Sequence, residues 1–345
     1  MPALTVVRRG RLAGAVIPAV ALGIAGIVAA QIGAQAASRA PALHAGPKVS
    51  LGTTANVFAN AFTEAPDGAV FYSSGSVVYV VKGNSRPRIA VRAGRSVIAL
   101  AANASGLFVQ TGLTVTQYRR SNGRQVRHWT LTSPFTPITS ANLYAVGGTL
   151  WSWTDWGTDS SGLEYATVSR IATAHSAVHV VSKFAYPVAA AADSAGLYFQ
   201  STTKNSEPNF LDLASPSGAV SSRQVAAASG TELAVADGRV DLLVFGGSSV
   251  TVNSYSGTTL GLLSSKHVSG GDYAIAGTGF GLVVLACHGS KCSAPAISEL
   301  DAATGSASGG VSVPGAAVLL SGPDAVVIEV SHGSHGAMTL QRISS

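Results

Sequence analysis

Charged side chains are scarce in this 345-residue chain, at 11 % of the total, while apolar residues make up 47 %. Disorder needs the opposite balance, many charges and few β-branched residues, so a disordered chain is excluded. The formal net charge is +6, but Arg8, Arg9 and Arg11 supply half of it and only +3 remains on the rest. No Lys/Arg cluster survives in that remainder, so a nucleic-acid partner would find no electrostatic footprint. Cysteine is almost missing, with only Cys287 and Cys292. Catalytic signatures are missing too: there is no GxSxG elbow, no HExxH, no phosphate-cradling loop and no Asp-box repeat. No motif names a reaction.

The N-terminus carries the most specific targeting signal. The three arginines precede Leu12 to Ala30, a run without charge, and Ala34-Gln-Ala36 then offers the small residues a signal peptidase reads. Residues 1–36 are therefore expected to be a signal peptide cleaved after Ala36. The alternative is an uncleaved anchor, because the apolar run from Leu12 to Ala34 is just long enough to span a bilayer. Both place the body outside the cytoplasm, secreted or held at a bacterial cell envelope. In that compartment Cys287 and Cys292 are expected to form a local disulfide. So small a ring contributes only about 2 kcal/mol in the loop-entropy model and chiefly pins one loop.

Glycine, with 39 residues, and short alternating apolar runs dominate the body of the chain. Residues 37–48 read as a linker and 49–345 as one repeating domain. From Tyr273 to Val313, four such runs bounded by Gly, Ser, Asp or Pro read as four antiparallel strands joined by tight turns. One four-stranded sheet cannot bury both faces and needs neighbours. First strands begin near Val57, Val97, Ala141, Val188, Glu232, Tyr273 and Ala316, at intervals of about 40 to 47 residues, the length of one propeller blade. They are rich in small residues, as in Val97-Ile-Ala-Leu-Ala-Ala and Val188-Ala-Ala-Ala-Ala, which suits a crowded central channel. Second strands carry the large apolar residues that fill the space between sheets, as in Gly106-Leu-Phe-Val-Gln and Gly196-Leu-Tyr-Phe-Gln. The last unit has only three strands. The spare segment Val49-Ser-Leu-Gly-Thr-Thr beside Ala337 to Ile343 would supply the fourth and hide the open edges. The spacing predicts an all-β, seven-bladed β-propeller of four-stranded antiparallel blades, with six or eight blades as alternatives.

Leu300-Asp301-Ala-Ala-Thr304-Gly305 resembles the turn of YVTN-type and quinoprotein-like (PQQ-like) propeller repeats, in which an Asp and a Thr-Gly close the outer hairpin; Leu211-Asp212-Leu-Ala-Ser-Pro-Ser-Gly218 is a looser copy. The resemblance implies the fold. The family's quinone enzymes carry a regularly placed Trp after that turn, which Ser306 to Gly310 lack, so no cofactor is expected.

Loops between second and third strands are uneven. Blades 1, 2 and 5 use minimal turns, whereas blades 3, 4, 6 and 7 carry longer polar segments expected to decorate one rim. Trp153, Asp155, Trp156 and Asp159 combine aromatic faces with carboxylates, a pattern suited to a sugar ring or a peptide side chain; the alternative for Trp151 and Trp153 is packing between blades. His288, His332 and His335 are a weaker candidate for a metal site. Asp272 sits at a blade junction near the expected channel mouth. The first functional expectation is an exported propeller that binds a protein or glycan partner through those loops. The alternative is an extracytoplasmic lyase or hydrolase with its site at the channel mouth near Asp272 and His288.

Overall fold

The computed structural model describes residues 42–131, 140–158, 164–173, 178–185, 189–202, 209–225, 231–246, 249–268, 271–287, 295–332 and 335–345. The expected signal or anchor, residues 1–36, lies outside them.

The described chain forms seven antiparallel blades arranged as a β-propeller. Their innermost strands are Phe62–Glu64, Ala99–Asn103, Ser140–Val146, Ala190–Asp193, Thr231–Ala236, Gly271–Thr278 and Ala316–Leu320. Each touches the next, and the seventh touches the first, so the ring is closed. Small side chains allow that approach. At Gly277 in blade 6 a Cβ atom would lie 1.8 Å from the carbonyl oxygen of Val235 in blade 5, so only glycine fits there.

The two-residue period of a strand builds the cores. Leu107 and Val109 face blade 1 while Phe108 between them faces blade 3. Leu197 and Phe199 face blade 3 while Tyr198 faces blade 5. Val326 and Ile328 face blade 1 while Val327 faces blade 6. The described residues thus form seven apolar clusters, one in each gap between neighbouring blades. Each fully buried Val, Leu or Phe in them stabilises the fold by about 1.5–3 kcal/mol. The outermost strands are largely exposed, and Arg88, Arg92, Arg127, Arg223 and Lys266 place charge on them. Charge on a free edge discourages pairing with another sheet.

The ring is sealed where the repeat spacing predicts. Val49–Thr54 pairs antiparallel with the last strand, His335–Ser344, in the register Val49↔Leu340 and Ser50↔Thr339, with a bulge before Gly52↔Met338. Val49 and Leu51 point into the cluster between blades 7 and 1, and the Tyr72 hydroxyl of blade 1 donates to the Leu51 carbonyl at 2.9 Å. Pairing begins earlier than expected. His44 and Ala45 already pair with Ser344 and Ile343, and Leu43 is buried between blades 6 and 7, so this part of the supposed linker belongs to the sheet.

Two other expectations need correction. Blade 1 does not begin at Val57: Val57–Ala59 is a 3-10 turn, and the strand starts at Phe62. The Thr54 hydroxyl accepts from the Asn56 N–H and the Asn60 side chain at 3.1 Å each, which favours a turn over a strand. Blade 3 does not loop out at Thr154. Its second strand runs Thr149–Thr158, with Asp155 opposite both Ser140 and Ala166. The outermost strand of blade 3 also pairs with blade 4 at Ala185↔Thr202, joining the two blades into one sheet.

Candidate functional site

The innermost strands enclose a central channel of about 770 Å3. Ala99, Leu100, Ala141, Leu143, Leu233, Ile275 and Leu319 form much of its wall. These side chains are largely packed between blades, so the wall the channel presents mixes aliphatic and polar groups, and the channel is open rather than plugged.

The wall's polar members are Asn60, Thr63, Glu64, Asn142, Tyr144, Glu232 and Ser321. Asn142 and Glu232 each lie four residues before the end of their innermost strands, Ser140–Val146 and Thr231–Ala236, which sets them at the same height in the ring. Both are exposed to channel water. The surrounding protein nonetheless raises the Glu232 carboxyl above its usual range, because it displaces much of the water that would solvate the charge. Tyr144, one turn of the pleat further along, donates its hydroxyl to the Ala190 carbonyl at 3.2 Å. Burial raises its pKa first, and the nearby negative charge of Glu232 raises it further.

Glu64 borders the opposite end, as the last residue of its strand. Its side chain is fully buried, and no hydrogen bond of ordinary length and angle reaches either carboxylate oxygen. Arg342 Nη1 lies 3.6 Å from Oε1, while Arg342 Nη2 donates to the Gly68 carbonyl at 2.7 Å. Burial pushes the Glu64 carboxyl up to about 8; Arg342 and the Asp324 backbone N–H oppose this, and the charges of Asp324 and Asp67 reinforce it. Its Oε2 packs against Gly322, where a Cβ atom would come within 1.9 Å.

The residues singled out from sequence fall into three groups. Trp153 is packed, at 6 % exposure, in the cluster between blades 3 and 4 with Trp151, Leu197 and Phe199; its indole N–H has no hydrogen-bond partner. Packing between blades, the alternative for this pair, is the place the structure gives both rings. Asp155, Trp156, Asp272, Cys287 and His332 have described backbone only. Asp155 and Trp156 lie in the second strand of blade 3, Asp272 lies in a bulge between Gly271↔Cys287 and Tyr273↔Ala286, and His332 pairs with His335 at the blade 7 hairpin. The side chain of His335 is exposed. Asp159, His288 and Cys292 lie outside the described residues, and with them the expected disulfide and one member of the His288, His332 and His335 group. Among the described residues no group of three or more His, Cys, Asp or Glu is placed to hold a metal ion.

The turn that carries the family resemblance is built as its sequence implies. Asp301 accepts from the Ala303 N–H and the Thr304 hydroxyl, both at 2.8 Å, and its carbonyl accepts from the Gly305 N–H at 2.7 Å. The looser copy differs. Asp212 lies inside the strand Asn209–Ala214, buried, and accepts from the hydroxyls of Ser201 and Ser222. The turn there belongs to Ser215, whose carbonyl accepts from the Gly218 N–H at 2.8 Å.

Sequence reasoning missed the channel groups Glu64, Asn142, Tyr144 and Glu232. One signal was available: polar residues inside strands otherwise chosen for small apolar side chains.

No protein-family model matches the chain, and no curated protein matches it. Solved structures do. A chain of the mitotic checkpoint complex superposes with a TM-score of 0.60 at 10 % identity, covering 100 % of both chains. Hydrazine synthase of Kuenenia stuttgartiensis gives 0.58 at 14 % identity over 82 % of this chain and 96 % of that one. The WD40 domain of Toxoplasma gondii coronin gives 0.57 at 12 % identity over 87 % and 85 %. At such identities the likeness shows the fold alone, and that fold is a seven-bladed β-propeller.

Proposed function

We propose that this chain is an exported β-propeller with YVTN/PQQ-like repeats that serves as a binding module for a protein partner at the cell envelope. The observation that carries the proposal is the height of blade 3. Its second strand is 10 residues long, against 5 in blade 1 and 6 in blade 2. Blades 2 and 3 leave matching two-residue inner turns, so the additional length over blade 2 projects from one face. At about 3.3 Å per residue, four further residues raise the blade 3 hairpin roughly 13 Å above blade 2. That raised hairpin carries Asp155 and Trp156, an acid and an aromatic of the kind that anchor interfaces.

Three observations support the rest of the reading. The Asp301–Gly305 turn has the hydrogen bonds expected of the repeat family. The mitotic checkpoint complex shows that a propeller of this shape takes part in a protein assembly. The charge-free run from Leu12 to Ala30 behind three arginines favours export, and export favours the Cys287–Cys292 disulfide.

The test is a photo-crosslinking residue placed at position 156 of the full-length chain in its native host, with the same residue at exposed Val220 on an outer strand as control. A discrete crosslinked protein band at 156 and not at 220 is expected. No band, or the same band at both positions, overturns the proposal. A crosslink to cell-wall glycan alone replaces the protein partner with a glycan.

A further inference from the structure

The channel has a chemical bias of its own, separate from the raised rim. Its described wall contains no Lys, Arg or His, and its ionisable groups are the carboxyls of Glu232 and Glu64 and the phenol of Tyr144. The chain around it is formally cationic, at +6. Glu232 has no ion pair or hydrogen bond among the described residues, and the Asn142 amide has no hydrogen bond there either. At the far end Glu64 is already faced by Arg342, with Nη1 3.6 Å from Oε1, so Glu232 is the carboxyl open to a ligand. A carboxylate held among aliphatic side chains gains most from a cation that replaces lost water.

We propose that the channel binds an organic cation, a protonated primary amine with an apolar body, whose ammonium sits on Glu232 and Asn142 and whose carbon chain lies along Leu143, Ile275 and Leu319. The channel volume of about 770 Å3 lies within the range of small-molecule sites. Other occupants fit less well. An anion meets only carboxyls. A neutral apolar molecule would strip water from Glu232 without giving it a partner. A divalent cation needs six or more oxygens, which Glu232 and Asn142 alone do not supply.

The probe is n-hexylamine, titrated into the purified full-length chain by calorimetry, with 1-hexanol as its neutral counterpart and calcium chloride as competitor. Saturable one-to-one binding of hexylamine is expected, with hexanol and the Glu232→Gln variant each at least about tenfold weaker, the loss expected for a hydrogen bond to a charged group. No saturable binding up to about 10 mM hexylamine overturns the proposal, since that corresponds to less than about 3 kcal/mol of affinity. Equal binding of hexanol, or unchanged binding by Glu232→Gln, also overturns it and leaves a merely apolar cavity. Stoichiometric displacement of the amine by calcium identifies a metal site instead. Should Glu232→Gln lose its fold by circular dichroism, Asn142→Trp decides. It fills the channel from an exposed position, and hexylamine binding that survives it contradicts the assignment. The proposal involves no rim residue, so it and the crosslink at position 156 succeed or fail separately.

Discussion

Glu64 carries an ionisable group into a place built for a neutral one. Its folded pKa is about 8, against an ordinary carboxyl value of 4.5. Below about pH 4.5 both folded and unfolded chains keep the proton. Between there and about 8 the unfolded chain gives it up while the folded chain holds it. Stability therefore falls as pH rises through that window and levels off above it. At pH 8 the accumulated loss is on the order of a few kcal/mol. Glu64→Gln should show a flatter urea midpoint between pH 5 and 8 than the wild-type chain; parallel curves would show that the carboxyl is not held protonated. Its neighbour gives a second check. Gly322→Ala places a Cβ atom on the Glu64 carboxyl, an overpacking expected to cost about 1–3 kcal/mol in thermal denaturation. At this scale the sequence was a partial guide. The alternation in Trp151-Ser-Trp153 marks two rings on one face, but whether that face meets a neighbouring blade or solvent depends on the height at which the strand ends. Glu64 was illegible because its burial comes from the blade 7 turn at Gly322, 258 positions away in the chain.

At the level of single strands, the N-terminal segment does for blade 7 what a fourth strand does for the others. Leu51 is buried in the cluster it shares with Tyr72 and Met338, and Leu51→Ala should lower stability by about 2–5 kcal/mol. Tyr72→Phe removes only the hydrogen bond to the Leu51 carbonyl and should cost about 1 kcal/mol. Calorimetric melts of the two variants test the ordering, and a larger loss for Tyr72→Phe would contradict it. The pairing of this segment was legible because Val49 and Leu51 alternate with polar residues and because the last repeat lacks a strand. Two local features were not. The Thr54 and Asn60 side chains turn residues 57–59 into a 3-10 turn despite an apolar run. Thr154, Asp155 and Thr158 read as loop, yet the ladder to Ser140 and Ala166 keeps the backbone extended through them. Polarity alone does not mark a loop: Thr154 is buried within its strand.

For the whole molecule, closure decides everything else. Seven inner strands meeting in a ring create the channel, set Asn142 and Glu232 at one height, and bring Glu64 of blade 1 against Gly322 of blade 7. Blade number was legible from spacing, since a repeat of propeller-blade length cannot bury its faces except against its siblings. The channel's polar lining was not, because it comes from single residues on strands far apart in sequence. The most direct test of closure is a cysteine pair at the directly opposed positions 50 and 339. Facing residues in an antiparallel pair have Cα atoms about 4.5–5.5 Å apart, within reach of a disulfide. In a Cys287→Ser/Cys292→Ser background, the double variant Ser50→Cys/Thr339→Cys should oxidise completely, lose two hydrogens by mass, and unfold at a higher temperature than its reduced form. A pair that stays reduced under conditions that oxidise exposed cysteines would show that the first and last strands do not meet, and that the wheel is not sealed.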